Sequence, residues 1–284
     1  KLTELYELRS DIIQREDAAE AAKLYFKSGE IYEKHLGEKE KAIVSYQKAF
    51  SLQTRKPEYG DILISFYQAE ESYTKCLEIL RRQFELFPET NKKIAILLKI
   101  AYLFKEKLQN KAEAKKSLAQ VLELQKSQDA IRGLEDLYTE DKQWEELIKL
   151  YQNILPSFPD IRDKVNFLEK CAILSKEQLQ NPARASDFYE QLLAIVPNHI
   201  STLKSIEVIY EGLEQWSKLS EILVRELNLP EFATEKVNIL LRIAQIWDQK
   251  IGNVVEAVKY YEEALQLQET DSILKILEDI HLAQ

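Results

Sequence analysis

Turn-forming, disulfide-forming and membrane-spanning features are scarce in this sequence. Its 284 residues include only 6 glycines and 7 prolines, too few turn-forming residues for a sheet-rich fold of this length. No apolar run approaches the roughly 20 residues that a membrane helix needs, so we expect no membrane insertion. Two cysteines, Cys76 and Cys171, do not make a disulfide framework or a zinc site, and both fall on apolar stripes of predicted helices. We therefore expect buried free thiols rather than a redox pair.

Methionine is absent altogether, including at the first position, which predicts that the chain is a fragment of a longer protein. The net charge is -9. Because an acidic chain does not attract phosphate backbones, we expect no nucleic-acid partner. The first residues carry no signal-peptide core. A soluble protein is expected, and the compartment stays open, with the cytoplasm favoured.

Catalytic and cofactor-binding motifs are also missing. No glycine-rich phosphate loop, Gly-x-Ser-x-Gly or His-Glu-x-x-His sequence occurs. The three histidines, His35, His199 and His281, lie far apart, and none has a carboxylate or cysteine at metal-ligand spacing. We therefore predict that the chain is not an enzyme and that it has no catalytic, cofactor-binding or metal site.

The sequence does contain an internal repeat. Small residues recur at intervals of 72, 71 and 72 residues, at Gly29, Ala101, Ala172 and Ala244. Tyrosines recur between them at intervals of 71 and 72 residues, at Tyr67, Tyr138 and Tyr210. The long period therefore holds two alternating units of 34 to 37 residues each. A unit of this length cannot bury its apolar face alone and must stack on its neighbours.

Inside each unit the apolar spacing is helical. Leu97, Ala101, Phe104 and Leu108 follow an i, i+4, i+7, i+11 pattern. Turn signals such as Gly37, Gly252 and Asn181-Pro182 separate these stretches. The pattern predicts sixteen helices, near residues 2–15, 18–36, 38–53, 58–69, 71–87, 90–108, 110–125, 127–140, 142–157, 161–179, 181–196, 198–213, 215–229, 232–251, 253–268 and 270–283.

The repeat resembles the tetratricopeptide repeat, over nearly the whole chain. In one unit the family pattern is matched by Tyr138, Trp144, Leu147, Tyr151 and Pro159. In another it is matched by Gly29, Tyr32, Ala42, Tyr46 and Ala49. The sequence departs from the pattern in two ways. The odd units, which contain Gly29, Ala101, Ala172 and Ala244, have one extra residue at the turn between their two helices. The even units have Glu135 and Glu207 in place of a small residue. The resemblance implies an all-α, right-handed α-solenoid of antiparallel helix pairs, with a concave groove lined by first helices. We expect one such solenoid over 1–284, with seven full pairs flanked by half repeats.

The resemblance also implies that the groove binds a protein or peptide. In each first helix, the stripe of side chains that packs against neighbouring helices runs through positions such as Leu97 and Ala101. The positions one residue further along hold a mixture of apolar and charged side chains. From these the candidate groove residues are Phe26, Leu98, Tyr102, Arg132, Ile173, Lys204 and Leu241. Apolar members would anchor a partner, and Arg132 and Lys204 would orient its acids. Phe26, Leu98 and Leu241 fit equally well as packing between neighbouring first helices.

Two functions are therefore in competition. The first is a protein-interaction scaffold that grips its partner in the groove. The second is a structural segment of a larger assembly, with self-association through its terminal helices. Mutations in the groove would impair the first function, whereas mutations in the terminal helices would impair the second.

Overall fold

Helices account for the regular structure of this protein. The computed structural model, which describes residues 1–268 and 270–283, contains sixteen α-helices and no strand in that part of the chain. Each predicted helix is present, with ends that differ by a few residues. The all-α solenoid predicted from the repeat is confirmed, and the chain divides into two units, residues 1–142 and 143–284.

The first unit holds the first eight helices, and consecutive helices pack against each other. They are α1 (Leu2–Ile13), α2 (Ala18–Ile31), α3 (Lys39–Leu52), α4 (Pro57–Ala69), α5 (Tyr73–Leu86), α6 (Thr90–Tyr102), α7 (Lys111–Leu124) and α8 (Gln128–Glu140). Helices α2, α4, α6 and α8 are the first helices of repeat units, whereas α3, α5 and α7 are second helices.

The second unit holds the other eight helices, which also pack in chain order. They are α9 (Trp144–Ile154), α10 (Ile161–Ile173), α11 (Pro182–Ile195), α12 (Ile200–Gly212), α13 (Trp216–Leu227), α14 (Lys236–Gln245), α15 (Val254–Leu267) and α16 (Asp271–Ala283). First helices here are α10, α12, α14 and α16. A 3₁₀ segment, Pro230–Glu235, leads into α14.

The extra residue of the odd units is absorbed by a π-helical turn. Such a turn follows α2, α6, α10 and α14, at Tyr32–Leu36, Leu103–Lys107, Leu174–Gln178 and Ile246–Ile251. The sequence predicted uninterrupted helices there. In a π-turn the amide bonds the carbonyl five residues back, as Leu108 does with Leu103 at 3.0 Å. The π-turn thus accommodates the additional residue at the end of the first helix.

A residue with left-handed backbone ends each first helix before its second helix begins. In the odd units it is Gly37, Gln109, Gln180 and Gly252, with φ between 51° and 77°. The next residue commonly caps the second helix. The Asn181 side chain, for example, accepts a hydrogen bond from the Arg184 amide at 3.0 Å.

Small residues bring the two helices of a pair together. Gly29 in α2 lies directly against the ring of Tyr46 in α3, so close that an added Cβ would be 2.7 Å from a ring carbon. Both predicted free thiols, Cys76 and Cys171, are buried. Burial raises the pKa of the Cys171 thiol to about 12.

Candidate functional site

A pocket of about 440 Å³ opens on the first helices of the first unit. It lies between α4 and α6, and α5 contributes to its lining. The lining residues are Asp61, Ile64, Ser65, Gln68, Leu80, Leu98, Lys99, Tyr102 and Leu103. The α4 members are spaced i, i+3, i+4, i+7, so they occupy one helix face. Two of the predicted groove residues, Leu98 and Tyr102, are therefore brought together.

The wall of this pocket is apolar and its mouth is aromatic. Ile64, Leu80 and Leu103 are buried, and Leu98 is half-buried. Tyr102 is 53% exposed, a large fraction for an aromatic side chain. An exposed aromatic ring beside an apolar cavity is typical of a surface that receives an apolar side chain from a partner.

A weak ion pair lies at the rim. The Lys99 ammonium is 3.5 Å from the Asp61 carboxylate, and both side chains are more than half exposed. Exposed pairs of this kind contribute about 0 to 1 kcal/mol to stability. Lys99 therefore remains available to an approaching carboxylate.

Sequence reasoning missed Asp61 and the other α4 residues of this pocket, although a signal was present. Asp61 stands 71 residues before Arg132 and so occupies the same repeat position as that candidate. Basic residues also recur at the Lys99 position of the other odd first helices, at Lys27, Lys170 and Arg242.

Arg132 and Phe26 have different surroundings in the first unit. Arg132 is exposed, and no ion pair or side-chain hydrogen bond joins it to another described residue. Phe26 is half-buried, with its ring centroid 4.7 Å from that of Tyr59 and 5.1 Å from that of Tyr46. The Phe26 ring thus takes part in packing α2 against α3 and α4.

In the second unit, two first helices carry an exposed apolar side chain one position beyond the packing stripe. Ile173 of α10 is 45% exposed and Val208 of α12 is 60% exposed. Leu241 of α14 is half-buried. Ile173 and Val208 repeat on α10 and α12 the exposed apolar character that Tyr102 has on α6.

The Lys204 ammonium has partners inside the second unit. It lies 2.9 Å from the Glu226 carboxylate and 3.2 Å from that of Glu207. It also stacks on the Phe232 ring at 4.6 Å. Because two carboxylates of the same unit already neutralise its charge, we do not expect Lys204 to contact a partner.

The position of Lys204 is explained by Glu226, a buried carboxylate that requires a positive partner. Its side chain is fully buried, at a repeat position held by Gln83 and Ile154 in other second helices. Burial raises the pKa of Glu226, and the Lys204 ammonium opposes that rise. Arg242 pairs with Glu207 and, at 2.9 Å, with Glu211, which extends the network to α14.

Across residues 1–268 and 270–283, no cluster of three or more His, Cys, Asp or Glu side chains is arranged to hold a metal ion. Among the same residues, no helix combines the length and apolar character needed to cross a bilayer.

Two segments of the chain match the tetratricopeptide repeat family, at residues 22–55 and 95–127. The first covers most of α2 and all of α3, and the second covers part of α6 and all of α7. No curated protein has a significant sequence match to this chain.

Several solved structures are similar to this chain at low sequence identity. A tetratricopeptide repeat protein from Parabacteroides merdae is 14% identical, with 92% of this chain and 98% of that one covered and a TM-score of 0.36. YrrB, a repeat protein with an unusual peptide-binding site, is 15% identical, with 70% and 98% covered and a TM-score of 0.32. The TPR2AB domain of yeast Sti1, in complex with pHSP90, is 13% identical, with 86% and 98% covered and a TM-score of 0.33.

Proposed function

Because this chain carries tetratricopeptide repeats, we propose that it is a scaffold that holds a protein or peptide partner. In this proposal the pocket between α4 and α6 receives an apolar side chain of the partner. The observation that supports it most is the pairing of a half-exposed Tyr102 with an apolar cavity on the first helices.

The proposed surface has two parts. Leu98 and Tyr102 supply the apolar contact, with Ile64 and Leu80 beneath them. Arg132, which is exposed on α8, supplies a positive charge. Tyrosine and arginine are the residue types that most often dominate binding free energy at interfaces. An apolar side chain with a carboxylate nearby would fit this combination.

Site-specific photo-crosslinking tests the location. A photoreactive phenylalanine analogue is placed at Tyr102 and, as a matched control, at Val44 of the second helix α3, which is 51% exposed. We expect one protein to crosslink from the Tyr102 position and not from the Val44 position. Equal crosslinking from both positions, or from neither, would contradict the proposal.

Self-association through the terminal helices is a second candidate. Helix α1 exposes a row of apolar side chains at Leu2, Leu5, Leu8 and Ile12. Sedimentation velocity over a hundredfold concentration range tests this function. If it operates, the sedimentation coefficient rises with concentration, and Leu5→Glu abolishes the rise. A constant coefficient would exclude it.

A further inference from the structure

A second pocket of about 440 Å³ lies in the second unit, between α14, α15 and α16. Its lining differs in chemistry from that of the α4–α6 pocket. The residues are Gln245, Asp248, Gln249, Val254, Tyr261, Ile276, Asp279 and Ile280. Carboxylates and amides thus face an apolar surface formed by Val254 and the two isoleucines.

The repeat explains why a cavity is present there. Helices α14, α15 and α16 occupy the repeat positions of α2, α3 and α4. Phe66 of α4, whose ring centroid is 5.9 Å from that of Tyr46, corresponds to Ile280. Isoleucine is smaller than phenylalanine, so volume that is filled beside Tyr46 is left open beside Tyr261.

The two sites also differ in one hydrogen bond, which is present at Tyr46 and, among the residues that the structure describes, absent at Tyr261. Tyr46 donates its hydroxyl hydrogen to Glu33 at 2.7 Å. The corresponding pair is Tyr261 and Asp248, and aspartate is shorter than glutamate by one methylene. The Tyr261 hydroxyl makes no hydrogen bond to any residue that the structure describes, although the side chain is only 1% exposed. It therefore presents an unpartnered polar atom to the pocket.

Both carboxylates of the pocket also lack a counter-charge. Neither Asp248 nor Asp279 forms an ion pair or a side-chain hydrogen bond with residues 1–268 or 270–283. Burial and the charge of Asp248 raise the pKa of Tyr261, so its phenol stays neutral at physiological pH. The pocket thus combines two negative charges with neutral oxygen acceptors and no cation.

We propose that this pocket binds the guanidinium group of an arginine side chain. A guanidinium carries five N–H donors in a planar fork, which suits two carboxylates and the Tyr261 oxygen placed around one cavity. The methylene stem would pack on Val254, Ile276 and Ile280. The protein's net charge of -9 favours the approach of a cation. The proposal rests on the scaffold function only in taking the arginine from a protein partner. The pocket shares no residue with the Tyr102 surface.

Titration of the whole chain with N-acetyl-arginine-N-methylamide, followed by NMR chemical shifts, tests the pocket directly. We expect saturable shifts at α14–α16 residues. The corresponding citrulline amide has nearly the same shape without the charge. We expect its affinity to be lower by a factor of at least about ten. Equal binding of the two probes would overturn the proposal.

Variants then locate the site. Asp248→Asn and Asp279→Asn should each weaken binding about tenfold. Glu263→Gln, on an exposed position of α15 that does not line the pocket, makes the same charge change and should leave binding unchanged. If it weakens binding as much as Asp248→Asn does, the attraction is non-specific and the pocket assignment is wrong.

Filling the cavity gives a separate check. Ile280→Phe places in α16 the side chain that α4 carries at Phe66, and it should abolish binding. Tyr261→Phe keeps the ring and should weaken binding at unchanged thermal stability. Retained binding in Ile280→Phe would contradict the site. Because the probe needs no partner protein, failed binding here and failed crosslinking at Tyr102 are distinguishable results.

Discussion

Substitution of Gly29 by alanine should destabilise the first unit, although alanine is the better helix former. Alanine gains about 1 kcal/mol over glycine inside a helix. An added Cβ at Gly29, however, would lie 2.7, 2.8 and 3.0 Å from three ring carbons of Tyr46. Overpacking a filled core costs about 1 to 3 kcal/mol. We expect a net loss of about 1 kcal/mol in the free energy of unfolding.

The Tyr46 ring cannot easily move aside. It is fully buried, its hydroxyl is bound to Glu33 at 2.7 Å, and the rings of Phe26 and Phe66 stand 5.1 and 5.9 Å from it. Elsewhere in the chain an alanine and a tyrosine share the equivalent positions, as Ala172 and Tyr189 do, but there the neighbouring aromatic positions hold Glu169 and Ile209.

A double-mutant cycle separates the clash from the helix effect. Leu118 and Ala101 hold the repeat positions of Tyr46 and Gly29, so the Tyr46→Leu background should accept a Cβ at residue 29. In that background Gly29→Ala should stabilise the protein by about 1 kcal/mol. Urea denaturation of the four proteins, with hydrogen exchange at the α2 amides, gives the coupling energy, which we expect to be about 2 kcal/mol. If Gly29→Ala changes stability equally in both backgrounds, the packing argument is wrong.

Three further expectations concern stability and reactivity. Gln109→Gly and Gln180→Gly should each raise the urea midpoint of unfolding. A left-handed backbone costs a non-glycine residue about 1 to 2 kcal/mol, whereas glycine loses only about 0.5 to 1 kcal/mol in chain entropy. For the same reason Gly252→Gln should lower the midpoint. Burial raises the pKa of Glu226 in the folded protein. The contribution of its protonated side chain to the free energy of unfolding is therefore fully present below the unfolded pKa of about 4.3. That contribution is lost as pH rises through the folded pKa. Glu226→Gln should thus gain stability relative to the parent between pH 4 and pH 8, and thermal melts that change in parallel would refute this. Cys171, whose pKa is raised to about 12, should react with a thiol reagent at pH 8 at least about a hundredfold more slowly than free cysteine, and fast labelling of the folded protein would contradict its burial.

The helices could be predicted from sequence because the repeat supplies its own alignment. Apolar spacing and small residues such as Ala101 and Ala172 recur at fixed intervals, so each copy supports the assignment of the others. The π-turns could not be predicted, although the extra residue at Gln109 and Gln180 was visible. An inserted residue can be accommodated by a longer loop, a left-handed turn or a π-turn, and only packing of the second helix decides among them.

The candidate site was less predictable, since it depends on side-chain partners and not on periodicity. Tyr102 and Leu98 follow from a position one residue beyond the packing stripe. Lys204 occupies an equivalent position, but it forms an ion pair with a buried glutamate on the next helix, Glu226. Which charged side chains remain free depends on the identity of residues that are distant in sequence, and the repeat pattern does not encode those identities.

The scaffold function is tested most directly by a binding titration with the protein that crosslinks from the Tyr102 position. The double variant Tyr102→Ala, Arg132→Ala removes both proposed contacts from exposed positions, so its thermal stability should match that of the parent. Val44→Ala is the matched control and should bind like the parent. We expect the double variant to bind at least about tenfold more weakly, since interface tyrosine and arginine side chains often contribute more than 1 kcal/mol each. Equal affinity of the double variant and the parent would contradict the proposed role of the first-helix surface.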